Sequence, residues 1–144
     1  MKIKDSPFIK LKHQKVAFYF GDFYFFEKFI VGEIYEGVHF DLIKAIQVVD
    51  KIYNHYGQNF KIVYIANRIN SYSTDPQSWS KLQKRGDNFV IAASLVLYND
   101  IGFKVAAVEK LISSTYIKRC SQIEEAVGWA LSRVELYEAN SPTN

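Results

Sequence analysis

Apolar positions along this chain change their spacing twice, and each change marks a different kind of element. Lys15–Phe20 alternates loosely between apolar and polar residues, Gly21-Asp22 offers a two-residue turn, and Phe23–Glu27 continues the extended pattern. A Gly-Asp link between aromatic runs is a hairpin signal. Phe29–Tyr35 reads as a third strand ending at Glu36-Gly37, and Phe8–Lys12 as an additional edge strand. The spacing then turns helical. Leu42, Ala45, Ile46, Val49, Ile52, Tyr53 and Tyr56 follow the i, i+3, i+4, i+7 rhythm of one helix face, and Gly57 supplies a stop.

Lys61–Ala66 and Phe89–Leu97 are near-continuous apolar runs rich in β-branched residues, the pattern of strands covered on both faces in parallel sheets. Between them, Asp75-Pro76 predicts a helix start, with the carboxylate as N-cap and proline at the first helical position, then Trp79 and Leu82 on one face. Asn99 or Asp100 is expected to open a helix with Val105, Val108, Leu111 and Ile112 inward. Thr115–Lys118 reads as a short strand. Ser121-Gln122-Ile123-Glu124 fits a capping box for a helix that buries Ile123, Ala126, Val127, Ala130, Leu131 and Val134. Strands first, then β and α elements in alternation, specify an α/β fold. Its mixed sheet has an N-terminal antiparallel meander and central parallel strands, flanked by helices. The 144 residues suit a single domain, with a core over about 8–138 and a frayed tail at 139–144.

Composition changes this picture in one respect. Eleven Phe and ten Tyr imply either a bulky core or a surface for a ligand or for self-association. A net charge of +3 is too small to argue for nucleic acid, so the basic clusters at Lys2–Lys15 and Lys81–Arg85 read as solvated faces. The N-terminus shows no signal-peptide pattern and no apolar run reaches membrane-spanning length, so a cytoplasmic protein without stable membrane insertion is expected.

Sites of covalent or metal chemistry are hard to find. His13, His39 and His55 lie in three different elements without ligand spacing, so no metal or cofactor is expected. Cys120, beside Arg119 and before a helix start, could have a lowered thiol pKa, but it lacks an evident base. Glu33 and Glu36 point to opposite faces of an extended chain, which makes them poor acid–base partners. The expectation is a non-enzymatic protein.

The distinctive segment is Asn67-Arg68-Ile69-Asn70-Ser71-Tyr72-Ser73-Thr74-Asp75, which leaves the Lys61–Ala66 strand at its carboxyl end, where open α/β sheets place their sites. Asn67, Arg68, Asn70, Tyr72, Thr74 and Asp75 form the candidate binding loop. The order of elements around it, with the closing Cys120-Ser121-Gln122-Ile123-Glu124-Glu125-Ala126, resembles STAS domains and more particularly the SpoIIAA-like group of small bacterial proteins. STAS domains of the anti-anti-sigma type carry a phosphorylated serine in an Asp-Ser-Ser-Gly segment. The comparable stretch here is Asn70-Ser71-Tyr72-Ser73, so the resemblance implies Ser71, and next Ser73, as phosphoacceptors. It also implies a regulatory or interaction module that binds a protein partner through this loop. A carrier of a small apolar or lipid-like ligand is the alternative, and a self-associating structural domain, as a homodimer, is the second.

Overall fold

The computed structural model describes residues 1–99 and 116–140, without the side chain of Trp79. The helix expected from Asn99 or Asp100 therefore lies outside the described residues. Two 3-10 turns, Ile3–Asp5 and Pro7–Lys10, precede the first strand, β1, at His13–Phe18. They occupy the stretch expected as an edge strand, because Pro7 takes the first position of the second turn. β2 (Gly21–Phe26) and β3 (Phe29–Ile34) complete an antiparallel meander. The hairpin turn falls at Tyr19-Phe20 rather than Gly21-Asp22, since Phe18 already pairs with Gly21. Gly21 is needed inside the strand, because a Cβ there would lie 2.8 Å from the Glu33 carbonyl.

A two-residue strand, β4 (His39–Phe40), leads to α1 (Leu42–Tyr56). Asp41 caps α1 by accepting the Lys44 N–H at 3.1 Å, and Gly57 ends it at φ +85°. β5 (Ile62–Arg68), β6 (Ser73–Thr74), α2 (Ser78–Lys84), β7 (Val90–Leu97), β8 (Ile117–Cys120) and α3 (Ile123–Asn140) follow. The main sheet has the order β1-β2-β3-β5-β7-β8, with β3, β5, β7 and β8 parallel. The two apolar runs are thus neighbouring central strands, as expected.

Each face of the sheet carries its own core. Strand alternation sends Phe23, Phe25, Ile30, Ile34 and Ile62 against Ala45, Val48, Val49 and Ile52 of α1 and Leu82 of α2. It sends Tyr24, Phe26, Phe29, Val31, Val63, Ile65, Ala92 and Val96 against Ile123, Ala126, Val127, Ala130 and Val134 of α3. Much of the phenylalanine excess lies in these two layers, which is the bulky-core reading. Ile3 reaches the α3 layer from the N-terminal turns and is fully buried, worth roughly 1.5–3 kcal/mol. At the start of α3 it is Glu125, not Glu124, that reaches back, accepting the Ser121 N–H at 3.1 Å.

Gly32 lets two rings cross the α1 face of β3. A Cβ on it would lie 2.5 Å from the Tyr64 hydroxyl and 2.8 Å from the Phe23 ring. Gly32→Ala should therefore lower stability by about 1–3 kcal/mol through overpacking, read as a reduced urea midpoint at unchanged slope.

Candidate functional site

The Asn67–Asp75 segment leaves the carboxyl end of β5 and does not run free. Its Ser73-Thr74 step pairs in parallel with His39-Phe40, forming the small β4–β6 ladder. Ser73 N–H donates to the Val38 carbonyl at 3.0 Å, Asp75 N–H to Phe40 at 3.2 Å, and Gly37 N–H to Ser71 at 2.8 Å. Asn70 Nδ2 adds a bond to the Ile34 carbonyl at 2.9 Å. The loop is thereby stitched to the β3–α1 connection, a nonlocal pairing that no local pattern announces.

Beneath this ladder lies a cavity of about 100 Å³ between the sheet and helices α1 and α2. Ile30, Val48, Val49, Ile52, Ile62, Leu82 and Phe89 give it apolar walls, and Phe23, Phe40 and Tyr64 add aromatic ones. Arg68, Tyr72, Thr74 and Asp75 line it as well, so four of the loop residues singled out in the sequence face one space. The Arg68 guanidinium sits 5.3 Å over the Tyr72 ring. Ser78 also lines the cavity, buried, with a hydroxyl that has no hydrogen-bond partner among the described residues. Deeper in, Asp87 accepts the Tyr53 hydroxyl at 2.9 Å. A more open cleft of about 530 Å³ lies around the Glu27-Lys28 turn, Gln58–Lys61 and Asn88-Phe89. It occupies the amino ends of β5 and β7, the end that open α/β sheets seldom use for ligands.

Asp75 does not cap α2 directly. Its carboxylate accepts the Gln77 N–H at 3.0 Å and pairs with Lys81 at 3.3 Å, which starts the helix at Ser78, two residues later than expected. The Gln77 amide, with Lys81, holds the Asp75 carboxyl below its ordinary value. Ser71 and Ser73 are exposed. The Ser71 N–H donates to Glu36 Oε2 at 2.5 Å, and the Ser73 hydroxyl meets His39 Nδ1 at 2.7 Å.

Asn67 stands apart from the rest of its loop. It is fully buried and points to the opposite face, toward α3. Its Nδ2 donates to Glu33 Oε2 at 2.7 Å and to the Met1 carbonyl at 2.9 Å, while the Tyr98 hydroxyl donates to its Oδ1 at 2.7 Å. Sequence reading missed this group. Its signal was parity, since Glu33 and Asn67 are polar residues set in apolar runs and fall on one face once β3 and β5 are paired. Burial pushes the Glu33 carboxyl above its ordinary value, although the Ile3 and Asn67 N–H groups pull the other way. Burial, with the Glu33 charge, pushes Tyr98 up to about 12.

Among the described residues no group of His, Cys, Asp and Glu side chains could hold a metal, and no helix is long and apolar enough to cross a membrane. Cys120 is buried in the α3 layer, and burial with Glu125 pushes its thiol up to about 11. The direction is opposite to the lowered pKa that Arg119 and the helix start suggested, because desolvation and the Glu125 charge outweigh the nearby Lys118.

No family model and no curated protein matches the chain. Among solved structures, an uncharacterised protein of the DUF3478 family from Shewanella loihica PV-4, described as having a SpoIIAA-like fold, is similar at a TM-score of 0.52. The alignment covers 83% of this chain and 92% of that one at 8% identity. The present chain thus has an α/β SpoIIAA-like fold.

Because the raised Glu33 carboxyl binds its proton more tightly in the folded state, Glu33 should lose stability for the protein as pH rises. The loss begins at the ordinary glutamate value of 4.5 and is complete once the folded carboxyl is ionised. Relative to Glu33→Gln, the wild type should therefore weaken as the pH of urea titrations rises above the ordinary glutamate value of 4.5. A wild type that gains on the variant over this range would reverse the sign.

Proposed function

We propose that this chain is a non-enzymatic regulatory module that holds a small apolar ligand between its sheet and helices α1 and α2. In this reading a protein partner senses the ligand through the Asn67–Asp75 rim. The observation that carries it is the double position of the rim: Arg68, Tyr72, Thr74 and Asp75 line the cavity, while Ser71 and Ser73 of the same segment face solvent. A ligand that displaces Tyr72 or Arg68 moves the exposed serines with them, because the β4–β6 ladder is short. The walls suit an apolar body, and the buried Ser78 hydroxyl offers a hydrogen bond to one polar atom. Native mass spectrometry of freshly purified protein should show a small adduct that Val48→Phe, which fills the cavity, removes while the protein stays folded. An adduct retained by that variant would place the ligand elsewhere.

Phosphorylation is the second reading, favoured by the exposure of Ser71 and Ser73 beside ionisable partners. A phosphate adds about −1.5 to −2 charges. On Ser71 it would face the Glu36 carboxylate and break that tether; on Ser73 it would pair with His39. Intact mass and peptide mapping after incubation in cell lysate should place a phosphate within Asn70–Thr74, and a stoichiometric phosphate mapped elsewhere would exclude the switch.

A further inference from the structure

On the α3 face, the first ten residues are held by the rest of the chain in a way that strands and helices do not use. Backbone hydrogen bonds from this segment are local, Asp5 to Lys2, Ser6 to Ile3, Ile9 to Ser6 and Leu11 to Phe8, and among the described residues none joins its main chain to the sheet ladder. The attachment is made instead by side chains of the sheet that bind the main chain of the segment. Glu33 Oε2 accepts the Ile3 N–H at 2.8 Å, Asn67 Nδ2 donates to the Met1 carbonyl at 2.9 Å, and the Tyr98 hydroxyl lies 3.3 Å from that carbonyl. Ile3 is fully buried, Ser6 is buried, and Phe8 and Ile9 pack half-buried against the same α3 layer, whereas Lys2, Lys4, Asp5, Pro7 and Lys10 are exposed.

This is the arrangement of a receptor reading a peptide: an acceptor for one N–H, a donor for the carbonyl two residues earlier, and a socket for the aliphatic side chain between them and the sheet. With the segment in place, Glu33 is 4% exposed and Asn67 is 0% exposed, so the bonds they make to it are shielded from water. We propose that Glu33, Asn67 and Tyr98 form a peptide-binding site, filled in cis by residues 1–10, which the segment leaves as a unit without unfolding of the sheet. The ligand class is a short peptide with an aliphatic residue at the position of Ile3, whose N–H meets Glu33, and a carbonyl two residues earlier for Asn67. A cis peptide keeps a high effective concentration, so the site is closed until the segment is displaced. Release would uncover Asn67, the neighbour of Arg68 at the rim of the cavity on the other face.

The test uses the full chain carrying Ile3→Asp, which cannot seat its own segment. A fluorescein-labelled decapeptide of residues 1–10 should bind this variant saturably by anisotropy, and the wild type much more weakly. Adding Glu33→Leu to the variant should weaken binding about tenfold, the scale of one lost hydrogen bond to a charged group. In the wild type, the Ile3 amide should exchange with deuterium faster than the amides of Ile65 and Val96. The proposal is overturned if the Ile3→Asp chain melts cooperatively yet binds no peptide, or binds it no better than wild type, or with an affinity Glu33→Leu leaves unchanged. It is overturned equally if Ile3→Asp abolishes the folded transition or Ile3 exchanges only with the sheet, since the segment would then be part of the core.

Discussion

Placing β5 between β3 and β7, parallel to both, is the constraint on which the remainder of the molecule depends. A strand in that position is covered on two faces, so its side chains must satisfy two different environments in alternation. Val63 and Ile65 pack toward α3, and Ile62, Tyr64 and Ala66 toward the other layer. The same alternation continues past the last apolar residue. Asn67 enters the buried polar group on the α3 face, and Arg68 enters the cavity wall on the opposite one. Two consecutive residues at one strand end therefore belong to two different sites.

The two sites are built on opposite physical terms. On the α3 face, a carboxylate is taken out of water and kept by directed hydrogen bonds from Ile3 and Asn67. Such a group is costly unless every partner is in place, which gives it specificity for whatever supplies those partners. On the α1 face, the space is lined by side chains that offer shape and little polarity, with Gly32 leaving room for Tyr64 and Phe23. The proposed ligand would be recognised there by apolar contact and by the few polar groups at the rim. Cys120 belongs to neither arrangement and is buried in the α3 layer with a raised pKa.

Much of the fold was legible in the chain, and the reasons are local. Lys61–Ala66 and Phe89–Leu97 declared themselves as doubly covered strands, and the α1 stripe and Gly57 stop followed helical spacing. What was not legible depended on partners distant in sequence. The hairpin turn shifted to Tyr19-Phe20 because pairing of β2 with β3 draws Gly21 into the strand. Asp75 formed a turn before α2 because the Gln77 amide and Lys81 each hold one oxygen of its carboxylate. The candidate loop was found by its composition and position, yet its geometry comes from the β4–β6 ladder, and Asn67 left the group for the other face. Glu33 was set aside as an acid–base partner of Glu36, and strand parity instead placed it beside Asn67.

The space under the Asn67–Asp75 rim is a cavity of about 100 Å³ with mainly apolar walls. Apolar cavities of this kind take up xenon. A crystal of the protein pressurised with xenon should show one strong site bounded by Ile30, Val48, Ile52 and Leu82. Finding those side chains closed on one another with no xenon between them would contradict the account.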